Sequence, residues 1–281
     1  MRELRDKVAA LTGAASGIGR ELAIQLGREG CALALADIDE KGLEETIGMT
    51  ERPAIRITSH VVDVRNRDEV YRYAEEVWRA HGQVDILVNN AATMVFDTLE
   101  DVGYDDFQRV IETNFWGVVY GVKAFLPYLK QRPEAHIVNV ASANGILTTP
   151  NNGPYCVAKF AVKSFTEALG QELHGSTVRV SCILPGGVKT NIIRNTRFFK
   201  QANRALTRDE TIQWFERASV TSPEKAARTI IRAMKKNKSR ILVGADAYFI
   251  DLAKRLMPVW STWYAGHKIR NLTLNKGKWF P

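Results

Sequence analysis

Short apolar runs alternate with longer segments of helical period over the first 190 residues of this 281-residue chain. The short runs end in or before Gly, Asp, Asn or Ser, as strands commonly do. They are KVAALT, CALALAD, AIRITSHVVDV, VDILVNN, HIVNVAS and VRVSCIL. The segments between them carry apolar residues at spacings of three and four. This alternation predicts a single α/β domain with a Rossmann-type, doubly wound parallel sheet, helices on both faces and ligands at the carboxyl ends of the strands.

The pattern changes after Leu184. Residues 185–220 contain no strand-like run, whereas SPEKAARTIIRAMKKN predicts a helix with Ser222 as its N-cap. SRILVG then completes a sheet of about seven strands. We therefore predict a catalytic domain over residues 1–245, with a substrate lid at about 186–220, and a C-terminal helical extension over residues 246–281.

Cysteine and histidine spacing argues against a disulfide framework and a metal site. The three cysteines lie far apart, and the five histidines show no HxxxH or HExxH spacing. The N-terminal segment lacks the long apolar core of a signal peptide, and no stretch has the length of a membrane span. We expect a cytoplasmic protein with no bound metal.

The positive charge is concentrated in the C-terminal third. Residues 191–281 contain 19 Lys and Arg and 6 Asp and Glu, a net charge of +13, whereas residues 1–190 carry 20 and 25, a net charge of −5. The basic residues are dispersed and no recognition motif accompanies them, so nucleic acid is not an expected partner.

A glycine-rich turn, TGAASGIGRE, follows the first predicted strand. Gly13 permits a tight turn, and Gly17 and Gly19 open the next helix, whose N-terminus favours a pyrophosphate. The turn therefore predicts a dinucleotide site.

Asp37 ends the second predicted strand and favours NAD over NADP. Its carboxylate can accept hydrogen bonds from the adenosine ribose hydroxyls and would repel a 2′-phosphate. Ser16 and Ile38 supply no cation for such a phosphate, but Arg20 keeps the NADP alternative open.

The segment PYCVAK places Tyr155 and Lys159 on one face of a helix. The ammonium is expected to lower the pKa of the phenol towards neutrality, so that Tyr155 can exchange a proton with the oxygen of an alcohol or ketone. Ser142, at the end of HIVNVAS, is expected to face the same crevice. Asn114 is a polar residue in the middle of a predicted helix. Ordinary packing would also explain each residue taken alone.

Seven motifs in order resemble those of the classical short-chain dehydrogenases/reductases over about residues 5–245. They are TGAASGIG, the DV of Asp63 and Val64, NNAA at 89–92 in place of the usual NNAG, Asn114, Ser142, YCVAK, and PGGVKT at 185–190.

The resemblance implies a role for each of these residues. Tyr155 would be the general acid or base, Lys159 would lower its pKa and bind the nicotinamide ribose, Ser142 would polarise the substrate oxygen, and Asn114 would hold a relay water. Asp63 and Val64 would contact the adenine, and Val188 and Thr190 the carboxamide. The implied cofactor site comprises Gly13, Ser16, Gly17, Ile18, Gly19, Asp37, Asp63, Val64, Asn90, Ala91, Tyr155, Lys159, Pro185, Gly186, Val188 and Thr190.

Apolar residues in the loops around the crevice fit a lipophilic or ring-bearing alcohol or ketone. An equally weighted alternative is that most of them pack the lid onto the core. They are Met94, Val95, Phe96, Ile146, Leu147, Ile192, Ile193, Phe198, Phe199, Trp214 and Phe215.

The tail from Asp246 to His267 has helical period, and Pro258 is expected to begin a second helix. Packing on its own domain or on a neighbouring subunit is the preferred interpretation. The alternative is a basic amphipathic surface that lies on a membrane or covers the substrate entrance. The resemblance also implies a homodimer or homotetramer formed through the long helices around Asn114 and Tyr155.

These observations favour an NAD(H)-dependent oxidoreductase that acts on a secondary alcohol or ketone. Two alternatives stay open: an NADP(H)-dependent ketone reductase, and a catalytically silent regulatory protein that binds a dinucleotide.

Overall fold

A seven-stranded parallel sheet forms the centre of the protein, whose computed structural model describes residues 1–50, 55–198 and 207–274. The strands of the chain are β1 (Val8–Thr12), β2 (Ala32–Asp37), β3 (Ile57–Val61), β4 (Ile86–Asn89), β5 (Val95–Phe96), β6 (Ala135–Val140), β7 (Val178–Pro185), β8 (Arg197–Phe198) and β9 (Arg240–Val243). The order in the sheet is β3-β2-β1-β4-β6-β7-β9, and every neighbouring pair is parallel. The two short strands, β5 and β8, pair with each other. Strand β8 corrects the prediction that residues 185–220 contain no strand, because it forms through its pairing with β5 and has no apolar run of its own.

Helices cover both faces of this sheet, as the sequence predicts. They are α1 (Gly17–Arg28), α2 (Glu40–Thr50), α3 (Arg67–His81), α4 (Tyr104–Ile111), α5 (Gly117–Leu129), α6 (Gly153–Glu172), α7 (Arg208–Ala218), α8 (Pro223–Lys235), α9 (Ala245–Leu256) and α10 (Pro258–Leu274). A π-helical turn, Glu112–Trp116, joins α4 to α5, and a single 3₁₀ turn, Ala143–Gly145, follows β6. The predicted Rossmann-type α/β fold is confirmed.

Successive residues of each central strand belong to different core layers, because side chains alternate between the faces of a sheet. In β1, Ala9 and Leu11 pack in the layer formed with α1 and α8. Val8 and Ala10 pack in the opposite layer, with α3 and α5. Both faces of the strand are buried, which explains why the predicted strands are continuously apolar.

Local sequence signals set the starts of two helices that follow the lid region, α8 and α10. The Ser222 hydroxyl accepts a hydrogen bond from the backbone N–H of Lys225, at 3.2 Å, and Pro223 is the first residue of α8, as predicted. Pro258 likewise begins α10. Within the predicted lid, residues 199–206 lie outside the described residues, and Phe199 lies among them. The domain boundary at residue 245 stays a prediction.

The C-terminal helices leave much of their apolar surface exposed. Ala247 and Ala253 of α9 are buried, but Phe249 is 68% exposed and Trp263 is 61% exposed. Packing on the chain's own domain therefore does not account for these two aromatic side chains. No helix in the described ranges is long and apolar enough to cross a membrane.

Candidate active site

A cleft of about 660 Å³ lies at the carboxyl edge of the sheet. Residues at or just beyond the ends of all seven strands line it: Gly13, Asp37, Asp63, Asn90, Val140, Pro185 and Asp246. In the sheet, β2 lies on one side of β1 and β4 lies on the other, so the connections that follow β1 and β4 run in opposite directions. A crevice forms at the carboxyl ends of the strands where two connections diverge in this way. The volume is in the range of small-molecule and cofactor sites.

The glycine turn brings α1 very close to the sheet. Gly13 has φ +66°, and a side chain there would lie 2.7 Å from the Cα atom of Ala91. At Gly19 a Cβ atom would lie 2.0 Å from the carbonyl oxygen of Gly13. Asn90 closes the turn, because its Nδ2 donates to the carbonyl oxygens of Gly13, at 3.0 Å, and Thr12, at 3.2 Å. Glycine is therefore required at both positions.

The first turn of α1 forms one wall of the cleft. Ser16, Gly17 and Ile18 line it, and Thr190 lies next to Gly17, where a Cβ atom would be 3.1 Å from Thr190 Cγ2. Within the described residues, the Ser16 side chain makes no capping hydrogen bond to the helix. The first amides of α1 therefore face the cleft without an intramolecular cap, which fits an anionic pyrophosphate.

Asp37 is held rigidly at the end of β2. Its Oδ2 accepts a hydrogen bond from the N–H of Ala15, at 3.0 Å, and its Oδ1 accepts one from the N–H of Asp39, at 3.1 Å. Arg20, the residue that keeps NADP open, donates to the carbonyl oxygen of Ala15 and pairs with the carboxylate of Glu45, at 2.9 Å. Asp37 lines the cleft, and Arg20 is not among the described residues that do so.

Asp63 and Val64 line the cleft beside β3. The Arg65 side chain donates to the Asp63 carboxylate, with Nη2 to Oδ2 at 2.6 Å, and this hydrogen bond lowers the pKa of Asp63. Val64 is buried and lies against Gly117. This end of the cleft therefore offers an apolar surface beside a fixed ion pair.

Ser142, Tyr155 and Lys159 meet where β6 faces the first turns of α6. The buried Lys159 Nζ donates to the carbonyl oxygen of Val140, at 2.8 Å, and lies 5.5 Å from the centre of the Tyr155 ring. The Ser142 hydroxyl hydrogen-bonds the phenol and accepts from the N–H of Asn144, at 3.1 Å. All three side chains line the cleft.

Burial shifts the pKa values of Tyr155 and Lys159 in directions that the sequence analysis does not anticipate. Burial raises the pKa of Tyr155 to about 12, and the hydrogen bond with Ser142 offsets only part of that rise. Burial also lowers the pKa of Lys159 to about 8. In the chain alone the pKa of Tyr155 is therefore raised rather than lowered towards neutrality, because desolvation is the largest influence on the phenol. The role of Lys159 in lowering that pKa stays a prediction. The resting phenol is protonated at neutral pH.

Asn114 lies outside the cleft, in the π-helical turn between α4 and α5. It is fully buried, and its carboxamide makes two hydrogen bonds with the backbone of Thr93: the N–H of Thr93 donates to Oδ1, at 2.7 Å, and Nδ2 donates to the carbonyl oxygen, at 2.9 Å. Asn114 thus fixes the loop that follows NNAA. Its role with a relay water stays a prediction.

Asp246 is a cleft residue that the sequence analysis misses. Its Oδ2 accepts a hydrogen bond from the N–H of Gly187, at 2.5 Å, and the carboxylate occupies the space that a side chain at Gly186 or Gly244 would need. It therefore holds the PGG turn after β7. The sequence feature that could have identified Asp246 is a carboxylate close after a predicted strand, and the same kind of feature identifies Asp37.

The far end of the cleft has an apolar wall with polar side chains beside it. Met94, Ile192 and Phe215 line the cleft, and with Tyr155 they belong to one hydrophobic cluster. Other apolar residues of the loops around the crevice, Val95, Ile146, Leu147 and Ile193, are instead buried and do not line it. Some of the apolar loop residues therefore line the cleft, and others pack the loops onto the core.

Two polar residues at this end were also missed. Arg109 donates from Nη1 to the Thr93 hydroxyl, at 2.8 Å, and Asn152 is 5% exposed. Both line the cleft, and in the described residues the Asn152 Oδ1 has no hydrogen-bond partner. Neither residue belongs to a sequence motif, so only the fold brings them to the site.

The structure brings almost the whole predicted set together. Every residue of the predicted cofactor site lines the cleft except Gly19, which packs behind the turn. Of the predicted catalytic residues, Ser142, Tyr155 and Lys159 line it and Asn114 does not.

Comparisons with known proteins agree on one family. The model of the short chain dehydrogenases matches residues 7–201. The SadH protein of Mycobacterium tuberculosis, whose name assigns it to the oxidoreductases, is 38% identical over 262 residues, which cover 92% of this chain and 93% of SadH.

Two solved structures resemble the fold and differ in their nucleotides. A short chain dehydrogenase/reductase from Burkholderia phymatum, in complex with NAD, has a TM-score of 0.83 and 32% identity, with 92% of this chain and 97% of that chain covered. An alcohol dehydrogenase from Thermococcus sibiricus, complexed with 5-hydroxy-NADP, has a TM-score of 0.72 and 26% identity, with 85% and 96% covered. The neighbours therefore include complexes with both kinds of nucleotide.

Proposed function

The chain belongs to the short-chain dehydrogenase family, and from this premise we propose that it is an NAD(H)-dependent oxidoreductase that interconverts a lipophilic secondary alcohol and its ketone. Membership of the family supports an oxidoreductase that acts on a CH–OH group. The choice of NAD over NADP and the class of substrate go beyond family membership and are proposed here.

The convergence of Ser142, Tyr155 and Lys159 on one end of the cleft carries the proposal. A hydroxyl, a phenol and an ammonium at one place form a proton-transfer site for an oxygen atom. The apolar wall of Met94, Ile192 and Phe215 adjoins the phenol, so an apolar carbon skeleton can lie beside the reacting oxygen.

Tyr155 acts as the general acid in the reduction of a ketone. Its raised pKa keeps the proton on the phenol until the carbonyl oxygen gains negative charge. Ser142 hydrogen-bonds the same phenol and orients the substrate oxygen. Lys159 is fixed through the carbonyl oxygen of Val140 and stabilises the phenolate that remains.

The cofactor, when bound, supplies or accepts the hydride, and its oxidised ring brings a positive charge that favours the phenolate needed for alcohol oxidation. The first turn of α1 suits its pyrophosphate, and Thr190 and Val188 lie on the wall next to that turn. The glycines of the turn leave the space that a close backbone approach requires.

Asp37 supports NAD rather than NADP. Its carboxylate is held in place by two backbone amides at the cleft, and a 2′-phosphate near it would meet like charge. Arg20 is already engaged with Glu45 and the carbonyl oxygen of Ala15, so it is poorly placed to compensate.

A substrate and cofactor panel tests the proposal. Secondary alcohols, steroids, polyols and hydroxyacyl compounds are offered with NAD and with NADP, and the absorbance of the reduced nicotinamide is followed. We expect turnover with an apolar secondary alcohol and a higher kcat/KM with NAD. Asp37→Asn should reduce that preference by roughly tenfold or more, since a hydrogen bond to a charged group is worth about 1.5–3 kcal/mol. A preference of the unaltered protein for NADP would contradict the assignment of Asp37.

Tyr155→Phe separates the enzyme from a silent dinucleotide-binding protein. The substitution removes one hydroxyl and keeps the ring, so NADH binding, followed by its fluorescence, should persist while turnover falls by about 10²- to 10⁴-fold. A protein that binds NADH and oxidises no alcohol of the panel would support the regulatory alternative instead.

A further inference from the structure

Helices α9 and α10 present a continuous set of exposed apolar side chains, which we call the tail face. Large side chains of this kind are individually common on protein surfaces, but their concentration within 17 residues is unusual. The tail face comprises Tyr248, Phe249, Leu252, Leu256, Met257, Val259, Trp260, Trp263 and Tyr264, which are between 39% and 81% exposed.

The tail face is preformed by contacts between the two helices. Lys254 of α9 donates from Nζ to the carbonyl oxygen of Pro258, at 3.0 Å, and to the hydroxyl of Thr262, at 2.7 Å. The rings of Trp260 and Tyr264 stack with their centres 4.9 Å apart. Lys254 therefore ties α9 to the first turns of α10, where Trp260 and Tyr264 form a stacked pair.

The charge around the tail face is positive. The described part of the two helices, residues 245–274, contains four Lys and Arg and two Asp, a net charge of +2. Asp246 is turned to the cleft, where it binds Gly187, and Asp251 is 9% exposed and held between Arg240 and Arg255. Exposed acidic side chains are thus absent from the described residues of α9 and α10, whereas Arg255 and Lys268 are exposed.

We propose that the tail face binds the surface of an anionic lipid bilayer. Trp and Tyr side chains suit the boundary between headgroups and acyl chains, aliphatic side chains enter it, and flanking Lys and Arg side chains attract anionic headgroups. A symmetric dimer through this face would instead bring two copies of the same positive surface together, which like-charge repulsion opposes. The helices lie on the bilayer and do not cross it.

Vesicle sedimentation tests this proposal on the full-length protein. Vesicles of phosphatidylcholine with 30% phosphatidylglycerol are compared with vesicles of phosphatidylcholine alone. We expect the protein to sediment with the anionic vesicles, to bind the neutral ones at least about tenfold more weakly, and to be released by 0.5 M NaCl, since each Lys or Arg near the surface contributes about 1 kcal/mol.

The double variant Phe249→Ser/Trp263→Ser should lower the vesicle partition constant by about tenfold or more, because two apolar side chains leave the bilayer. A matched control is Met49→Ser/Tyr104→Ser, which removes two exposed apolar side chains from α2 and α4, where they are 58% and 94% exposed. The control should bind as the unaltered protein does. Dehydrogenase turnover with a water-soluble substrate should be unchanged in both double variants. Turnover and sedimentation are separate measurements, so an absence of turnover would contradict the proposed function and would leave the result for vesicle binding unaffected.

Two results would overturn the proposal. One is the absence of sedimentation with anionic vesicles. The other is a dimer, measured by light scattering without lipid, that dissociates in Phe249→Ser/Trp263→Ser and persists in the control, which would show that a second copy of the chain covers the tail face.

Discussion

The cluster at the start of α6 and the tail face on α9 and α10 both carry large side chains beside open space, but they differ in what holds those side chains. In the cluster, Lys159 is bonded to the backbone of β6, and Asn114 nearby is bonded to the backbone of Thr93. On the tail face Trp260 stacks on Tyr264 and Trp263 stacks on His267, all within α10. The first arrangement positions groups for chemistry inside the molecule, and the second leaves apolar area for an external surface.

The strongest test of this contrast is Lys159→Met. The variant keeps a long apolar side chain but removes the ammonium next to Tyr155, so kcat/KM should fall by about 10²- to 10⁴-fold. Lys163→Met is the matched control, because Lys163 lies one turn further along α6 and pairs with Glu167 at the surface, at 2.9 Å. Initial rates with saturating cofactor measure both. An equal loss in the two variants would show that the contrast does not depend on what Lys159 touches.

Gly19→Ala tests whether the cofactor turn is as closely packed as the structure indicates. A methyl group would lie 2.0 Å from the carbonyl oxygen of Gly13, and overpacking of this kind costs roughly 1–3 kcal/mol. The free energy of unfolding, from urea titration, should fall by that amount, and the KM for the cofactor should rise.

Gly48→Ala provides the opposite case. This residue lies in α2, and a Cβ atom there would have no neighbour within 4 Å. Alanine is the better helix former, so the variant should gain up to about 1 kcal/mol. A stabilised Gly19→Ala variant would contradict the close approach of α1 to the sheet.

Features of the fold and the site that arise between residues close together in the sequence could be predicted, whereas features that depend on distant segments could not. The seven strands of the main sheet, the cap at Ser222, the helix start at Pro258 and the glycine turn follow from local patterns, and the structure has them where they are predicted. The short strands β5 and β8 were not predicted, because each exists only through its pairing with the other. Motif spacing also identifies Ser142, Tyr155 and Lys159, because a strand end and a helix start determine where they lie.

Properties that arise from several segments at once were not predictable. The pKa of Tyr155 depends on burial by residues from other parts of the chain, such as Met94 and Phe215. The π-helical turn at Asn114 has no sequence signature among its neighbours. For the tail, periodicity predicts an apolar face on each helix but not whether another element of the chain covers it.

Acid should destabilise the folded chain, because the imidazole of His136, in β6, is buried. Burial lowers the pKa of His136 to about 3, so the unfolded chain takes up a proton below about pH 6.5 while the native chain does not. The free energy of unfolding should therefore fall as the pH drops from about 6.5, by up to about 1.4 kcal/mol per pH unit from this group.

Urea titrations between pH 7 and pH 4 measure the effect. His136→Gln should reduce the slope, and the exposed His174→Gln should leave it unchanged. Part of the slope should persist in His136→Gln, because burial also lowers the pKa of His81, to about 4. An unaltered slope in His136→Gln would assign the acid sensitivity to other groups.

The smallest expected effect concerns the tail face itself. Phe249→Ser/Trp263→Ser should change the free energy of unfolding by no more than about 0.5 kcal/mol per site, as exposed positions usually do. Phe125→Ala, at a fully buried ring of α5, should cost about 3–5 kcal/mol. A large loss in the tail variant would show that these side chains support the chain's own core.

Helix α9 belongs to both regions, since Asp246 and Ile250 line the cleft while Phe249 and Leu252 belong to the tail face. A rigid helix transmits displacement along its length, so the two surfaces share one mechanical element. If lipid contact shifts the position of α9, it changes ligand affinity in the cleft by some factor. Thermodynamic reciprocity then requires that a ligand in the cleft change the affinity for lipid by the same factor.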